Sequence, residues 1–255
     1  MPVPGDSGTD ITSNLFDDKS VTIKYFCSTQ TFLNVLLAVT HMHFTEVTVG
    51  TDLIQKNEEL ALENRDLLNQ YGVKAFNIMG AIGSGKTLLI EHAIDHFRNR
   101  YRCAVLAGDV IARFDAERFE KKGVPAVPLN TGKECHLDAH MVGHAIETLD
   151  LGSIDLLFIE NVGNLVCPAD FVLGEHTRIV VVSVTEGDDT IAKHPMIFRI
   201  SDAVIINKID IAEFVDADPE KMLVDARNIN PKIQAMKTSC KTGEGLDLWY
   251  ALLEG

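Results

Sequence analysis

An α/β three-layer sandwich, a mostly parallel sheet with helices on both faces, is the fold this sequence predicts, and three observations predict it. Short apolar runs alternate with segments of helical periodicity along most of the chain. The run Gly80-Ala81-Ile82-Gly83-Ser84-Gly85-Lys86-Thr87 fits the phosphate-binding pattern G-x-x-x-x-G-K-[ST] at every fixed position. It stands between a buried strand and a helix, the order such a loop needs. The alternation argues for parallel strands joined by crossover helices, and the loop narrows the class to a P-loop NTPase.

In chain order, residues 1–41 gather Pro, Gly, Ser, Thr and Asp early and an orphan apolar stretch late, and they read as an N-terminal extension without an assigned role. Met42 is a candidate natural start. Over 52–71 the apolar Leu53, Ile54, Leu60, Leu62, Leu67 and Leu68 alternate with acidic and amide residues, so 42–70 reads as an amphipathic helical segment packing on the core. The domain proper spans 71–255. Its expected strands lie at 73–79, 103–106, 124–129, 154–159, 177–184, 203–206 and 233–236. The expected helices lie at 88–97, 110–122, 138–149, 220–229 and 246–253. In such a sheet ligands bind beyond the carboxyl ends of the strands, and every motif below falls at such an end.

Composition sets bounds on partners. A chain of 255 residues with 46% hydrophobic content fills one α/β core and leaves little for a second of equal size. A net charge of −14 argues against a nucleic-acid or anionic-membrane surface, so phosphate binding must be local. Five cysteines without a C-x-x-C pair suit a reducing cytoplasm better than a disulfide framework. No run reaches the length of a membrane span.

The chemistry of the loop is specific. Its glycines let backbone N–H groups from Gly80 to Leu88 approach phosphate oxygens, Lys86 reaches the β and γ oxygens, and the Thr87 hydroxyl can ligate Mg²⁺. The following helix adds its positive end. After the strand at 203–206 comes Asn207-Lys208-Ile209-Asp210, the N-K-x-D guanine motif. Guanine offers N1–H and an exocyclic amine side by side, and the Asp210 carboxylate supplies two matching acceptors. Asn207 is expected to bridge the loops and the guanine edge, and the Lys208 stem to lie on the base. Ser239-Cys240-Lys241 resembles a further base-contacting loop. The expected substrate is GTP.

Glu160-Asn161-Val162-Gly163 ends the strand at 154–159, where an acidic Mg²⁺ residue followed by a glycine is expected. Mg²⁺ takes few protein ligands, so Thr87 and Glu160, with Asp109, suffice. Asp109 also reads as an N-cap of the helix at 110–122. Gly163 is placed to aim its N–H at the γ-phosphate. No residue is assigned to position the attacking water, and slow intrinsic hydrolysis is expected.

Cys135-His136 precedes the helix at 138–149, and Cys167 lies seven residues after Glu160. Two thiolates and an imidazole suit Zn²⁺ or Ni²⁺ rather than Mg²⁺. On residue chemistry alone, small buried cysteines and a helix-start histidine are the weightier reading. His136, His140 and His144 recur every four residues and are expected on one helix face, with His140 in an interface or outer-shell role and His144 facing solvent.

Three segments carry a resemblance that decides between these readings: Thr131-Gly132-Lys133-Glu134-Cys135-His136-Leu137-Asp138-Ala139-His140, Ile159-Glu160-Asn161-Val162-Gly163-Asn164-Leu165-Val166-Cys167-Pro168 and Thr185-Glu186-Gly187-Asp188-Asp189. With the phosphate loop and Asn207 to Asp210, they resemble the hydrogenase nickel-incorporation GTPases, the HypB family, from about residue 45 onward. The resemblance implies that Cys135, His136 and Cys167 form a nickel or zinc site at the interface of a GTP-bound homodimer. It also implies nickel delivery to the [NiFe] hydrogenase large-subunit precursor with a small zinc-containing accessory protein of the HypA type. A urease-type nickel GTPase, a regulatory switch with a retained zinc, and a small-molecule kinase are the rival expectations.

Overall fold

A computed structural model of the chain describes residues 49–109, 112–132 and 134–255, the backbone alone at 49–52 and 109. The extension expected over 1–41, and residues 42–48 with it, lie outside the described residues. The elements are α1 (Val49–Tyr71), β1 (Lys74–Gly80), α2 (Lys86–Phe97), β2 (Cys103–Asp109), α3 (Arg113–Lys121), β3 (Ala126–Asn130), α4 (Ala139–Glu147), β4 (Leu156–Glu160) and β5 (Thr177–Ser183). They continue as α5 (Thr190–Lys193), α6 (Pro195–Arg199), β6 (Ala203–Asn207), α7 (Pro219–Ile229), β7 (Gln234–Lys237) and α8 (Leu246–Glu254).

The apolar runs became strands because both of their faces are covered. Every residue of β4 and β6 is buried, and a parallel sheet under helices asks for such continuous runs. The order is β3-β2-β4-β1-β5-β6-β7, and every pairing is parallel. β1 lies between β4 and β5 at the point where the winding reverses, so a crevice opens beyond its carboxyl end.

Alternation along β1 separates two layers. Phe76 and Ile78 face α2, α3 and α8, where Leu89, Phe97, Phe119 and Trp249 are buried. The Trp249 indole N–H donates to Leu89 O at 3.0 Å, which satisfies its one polar group in the core. Ala75 and Met79 face the other layer, with Leu68 of α1, Val142 and Ile146 of α4, and Met222 and Ala226 of α7. Each such large apolar side chain contributes about 1.5–3 kcal/mol on burial.

α1 departs from its expected packing. Leu53, Ile54 and Leu62 are exposed, and the buried stripe is Asn57, Ala61, Asn64 and Leu68. The asparagines serve distant backbone. Asn57 Nδ2 donates to Val172 O at 2.7 Å and its Oδ1 accepts from Ala139 N at 2.7 Å. Asn64 Nδ2 donates to Ala139 O at 2.8 Å and Leu173 O at 3.0 Å. α1 thus fixes the start of α4 and the segment before β5.

Two further expectations change. α3 begins at Arg113 with Ala112 at its N-cap, so Asp109, the last residue of β2, does not cap it. The 138–149 helix starts only at Ala139, because the Asp138 side chain takes the N-cap and accepts from Met141 N. His136 therefore lies before the helix and does not share a face with His140 and His144.

Candidate functional site

The phosphate loop follows β1 as expected. Gly80 has φ 144°, and a Cβ there would collide with the Val181 carbonyl oxygen of β5. Gly85 has φ 110°, and a Cβ would collide with the Asn207 amide. Both positions need glycine for left-handed backbone and for close approach. Lys86 is buried and its Nζ donates to Gly80 O and Ala81 O, each at 3.1 Å. Ile82 and Leu88 are exposed on the outer side of the loop and first helical turn, while Ser84 is buried.

Register brings Glu160 to this loop. Glu160 of β4 pairs with Ile78, two residues before Gly80. Its Oε1 accepts from the Thr87 hydroxyl at 2.6 Å, and its Oε2 is buried with no hydrogen-bond partner among the described residues. Burial pushes the carboxyl up to about 7, against the Thr87 bond and the Lys86 charge, which both favour the carboxylate. An orphaned carboxylate oxygen beside a threonine hydroxyl fits a small oxygen-seeking cation such as Mg²⁺. Asp109 ends the strand next to β4, while the placement of its side chain lies outside the described set.

A carboxyl whose folded pKa lies above its unfolded one gives stability below the unfolded value that is lost as pH rises through the folded one. The nucleotide-free protein in a magnesium chelator is therefore expected to lose roughly 1–3 kcal/mol from this group between pH 5 and 8. Glu160→Gln keeps an acceptor for Thr87 and should flatten that dependence, as urea unfolding at the two pH values measures. Equal slopes in the two proteins would count against the buried-carboxyl account.

Gly163 packs on the loop so closely that a Cβ would collide with the Ile82 side chain and stand 3.0 Å from Ile82 N. Asn161 is buried: its Oδ1 accepts from Leu137 N at 3.3 Å and Val162 N at 2.9 Å, and its Nδ2 donates to Asn77 Oδ1 at 3.2 Å. Asn77 donates in turn to Glu175, which also accepts from Leu173 N and Arg178 Nε.

The second motif lies across the crevice. Asn207 Nδ2 donates to Ser84 O at 2.9 Å, and its Oδ1 accepts from Thr238 Oγ1 at 3.2 Å and Cys240 N at 3.4 Å. The amide bridges the phosphate loop and the 238–240 segment, so its oxygen is engaged within the protein. Asp210 Oδ1 accepts from Ser239 Oγ at 2.6 Å. Ser239 is buried, and its Oγ also accepts from Thr242 N at 3.1 Å. Lys208 adopts φ 64°, a left-handed turn between these two residues, and Lys241 is exposed.

The cysteine–histidine cluster is joined to the phosphate loop through Asn164, which meets both Gly80 and Cys135. Cys135 and Cys167 sulfurs lie 2.6 Å apart as free thiols, and His136 Nδ1 lies 3.9 Å from the Cys135 sulfur. The three ligand atoms are within 4.8 Å of one another. The Cys167 contact holds the Cys135 thiol above its ordinary pKa. Two zinc–sulfur bonds of about 2.3 Å put tetrahedral sulfurs roughly 3.7 Å apart, so a bound ion would spread this pair. His136 stacks on Phe171 at 3.9 Å, which sets the plane of its ring. His140 and His144 are exposed and meet each other at 3.1 Å between Nε2 atoms. Neither belongs to the Cys135, His136 and Cys167 group. Phe171, Asn57 and Asn64 were missed by sequence reasoning; only the seven-residue spacing of the two asparagines on α1 could have signalled them.

A phosphate loop after the central strand of an all-parallel sheet, with an acidic residue on the adjacent strand end, defines a P-loop nucleotide-hydrolysing protein. Residues 74–237 match the family model described as CobW/HypB/UreG, nucleotide-binding domain. The chain belongs to that family and, within it, to the HypB hydrogenase maturation factors. It is 61% identical over 214 residues to a probable hydrogenase maturation factor HypB of Methanocaldococcus jannaschii, covering 84% of this chain and 97% of that one. With HypB of Escherichia coli K12 the identity is 41%, over 81% of this chain and 71% of that one. Among solved structures it is similar to HypB from Archaeoglobus fulgidus, with TM-score 0.75, 51% identity and coverage of 79% and 98%. HypB from Helicobacter pylori in complex with nickel gives TM-score 0.74 and 36% identity over 78% and 94% of the two chains. Among the described residues no helix is long and apolar enough to cross a membrane.

Proposed function

We propose that this protein is a GTP-hydrolysing metallochaperone that carries nickel on Cys135, His136 and Cys167 and releases it during maturation of a [NiFe] hydrogenase. The observation that carries the reading is the short segment from Glu160 to Cys167. One end holds a carboxylate on Thr87 at 2.6 Å, and the other holds a thiol 2.6 Å from Cys135. A change at the phosphates cannot leave this segment untouched.

In the nucleotide cycle, Lys86 leaves the Gly80 and Ala81 carbonyls for the β and γ oxygens. Thr87 and Glu160, with Asp109, would hold Mg²⁺, and the ion would supply positive charge against the phosphate oxygens. Gly163 offers its N–H at the γ-phosphate, and loss of that phosphate frees the segment. Asp210, steadied by Ser239, reads guanine, while Lys208, Cys240 and Lys241 frame the base. Nickel is cargo: two sulfurs and one imidazole leave part of its coordination open for a second subunit or an acceptor. The HypB resemblance supports a GTP-bound homodimer, a HypA-type partner and the hydrogenase large-subunit precursor as acceptor. Free thiols throughout the described residues support action in a reducing cytoplasm.

The test is nickel and zinc stoichiometry, with mass by light scattering, in GDP and in a non-hydrolysable GTP analogue with Mg²⁺. A dimer with altered nickel affinity in the analogue is expected. Identical metal binding and mass in both states would sink the coupling. A metal that stays bound through the cycle would favour the regulatory switch.

A further inference from the structure

Asn164 makes three hydrogen bonds that link the phosphate loop to both cysteine-bearing segments. Its backbone N–H donates to Gly80 O at 3.1 Å, closing an isolated antiparallel bridge to the first glycine of the phosphate loop. Its Nδ2 donates to Cys135 O at 3.3 Å. Its Oδ1 accepts from Val166 N at 2.8 Å, one residue before Cys167. A single half-buried side chain therefore grips both cysteine-bearing turns while its own backbone rests on the nucleotide loop.

We propose that Asn164 is the positioning residue through which the state of the phosphate loop reaches the Cys135–Cys167 pair. The inference rests on the reading above that nucleotide and metal binding are coupled, and it names the path. Gly80 O is shared: it accepts from Lys86 Nζ and from Asn164 N, both at 3.1 Å. When Lys86 turns to a phosphate, this carbonyl loses its cationic donor and keeps the Asn164 N–H. The bond to Asn164 then shortens, because one acceptor no longer divides itself between two donors. Asn164 cannot move toward Gly80 without pulling Cys135 O by its amide N–H and the Val166 N–H by its amide oxygen. The neighbouring Gly163 lies so close to Ile82 that a Cβ there would have no room, which ties the same segment to the phosphate loop a second time. The spacing of the two sulfurs is thus set by which partner Lys86 has chosen.

The experiment measures nickel dissociation constants for the full chain by competition with a chromophoric chelator, in GDP and in a non-hydrolysable GTP analogue with Mg²⁺. Wild type should show a ratio between the two of about 5- to 150-fold, the range of ordinary coupling. Asn164→Ala should bring that ratio within about twofold of one, while nucleotide affinity stays within about threefold, since alanine retains the backbone N–H that meets Gly80. Asn164→Asp keeps an acceptor for Val166 N and loses the donor to Cys135, so it should bind nickel yet show the same collapsed ratio. At saturating nickel, the nickel–thiolate charge-transfer band should shift between nucleotides in wild type and stand still in both variants. A preserved ratio and band shift in either folded variant would overturn the role of Asn164 and leave the coupled cycle intact. A wild-type ratio of one would overturn the coupling, and this inference with it.

Discussion

Asp210→Asn is expected to exchange GTP for XTP. Guanine presents two adjacent donors, and a carboxylate meets both with charge-assisted bonds of about 1.5–3 kcal/mol each. An amide at this position offers one acceptor and one donor, so guanine's exocyclic amine faces another N–H. GTP affinity should fall by roughly 10²–10⁴-fold, the effect of losing one charge-assisted bond and leaving a buried donor facing another donor. Xanthine carries a carbonyl in place of that amine and would pair with the new N–H, so XTP should gain by a comparable factor. The setting favours a clean exchange. Ser239 Oγ donates to Asp210 Oδ1 at 2.6 Å and is itself held by Thr242 N. An asparagine oxygen accepts the same bond, so the side chain keeps its orientation. Asn207 is unaffected, because its bonds run to Ser84, Thr238 and Cys240. Nucleotide titration with GTP, XTP and ATP checks this; an unchanged GTP affinity would remove Asp210 from base recognition.

What the sequence made legible, and what it did not, follows from the range of the forces involved. β4 and β6 were visible because strands covered on both faces are apolar throughout, and the phosphate loop because its backbone path demands glycine at fixed places. Glu160 was visible as an acidic residue closing such a strand; that it faces Thr87 depends on β4 lying beside β1, which no local pattern encodes. α1 shows the opposite case. Its leucines carried the helical period, yet Leu53 and Leu62 face solvent and Asn57 and Asn64 face inward. Their partners are backbone groups of Ala139, Val172 and Leu173, remote in sequence. Periodicity measures apolar burial and is blind to a helix that buries amides to satisfy someone else's backbone. His136 left its expected helix face for a similar reason: Asp138 caps α4 and leaves the histidine free to stack on Phe171. The pair α5 and α6 also went unread, since Pro195 divides a stretch too short for either half to show a period.

Cys135→Ala and Cys167→Ala should each abolish tight nickel binding while nucleotide affinity stays within about threefold. Removing one of the three proposed ligands would leave a two-ligand site, and the remaining thiol would still have to lose its proton to bind. Each loss is expected to weaken nickel by about two orders of magnitude or more, since even the supports behind metal ligands are worth about 10–100-fold. Folding should hardly respond. Cys135 is exposed and Cys167 partly so, and substitutions at such positions usually move stability by about 0.5 kcal/mol or less. The spared nucleotide site follows from geometry: Lys86, Thr87 and Asn207 make their contacts without either cysteine. Cys103→Ala is the control, because Cys103 lies in the core of β2 and should leave nickel stoichiometry unchanged. Acidification provides a second handle. The Cys135 thiol is held above its ordinary pKa by Cys167, so nickel must displace its proton, and apparent affinity should fall by about tenfold per pH unit for each proton displaced. Isothermal titration in two buffers of different ionisation enthalpy counts those protons. If either alanine variant binds nickel as tightly as wild type, the ion sits elsewhere, and the segment from Glu160 to Cys167 links the nucleotide to nothing that is carried.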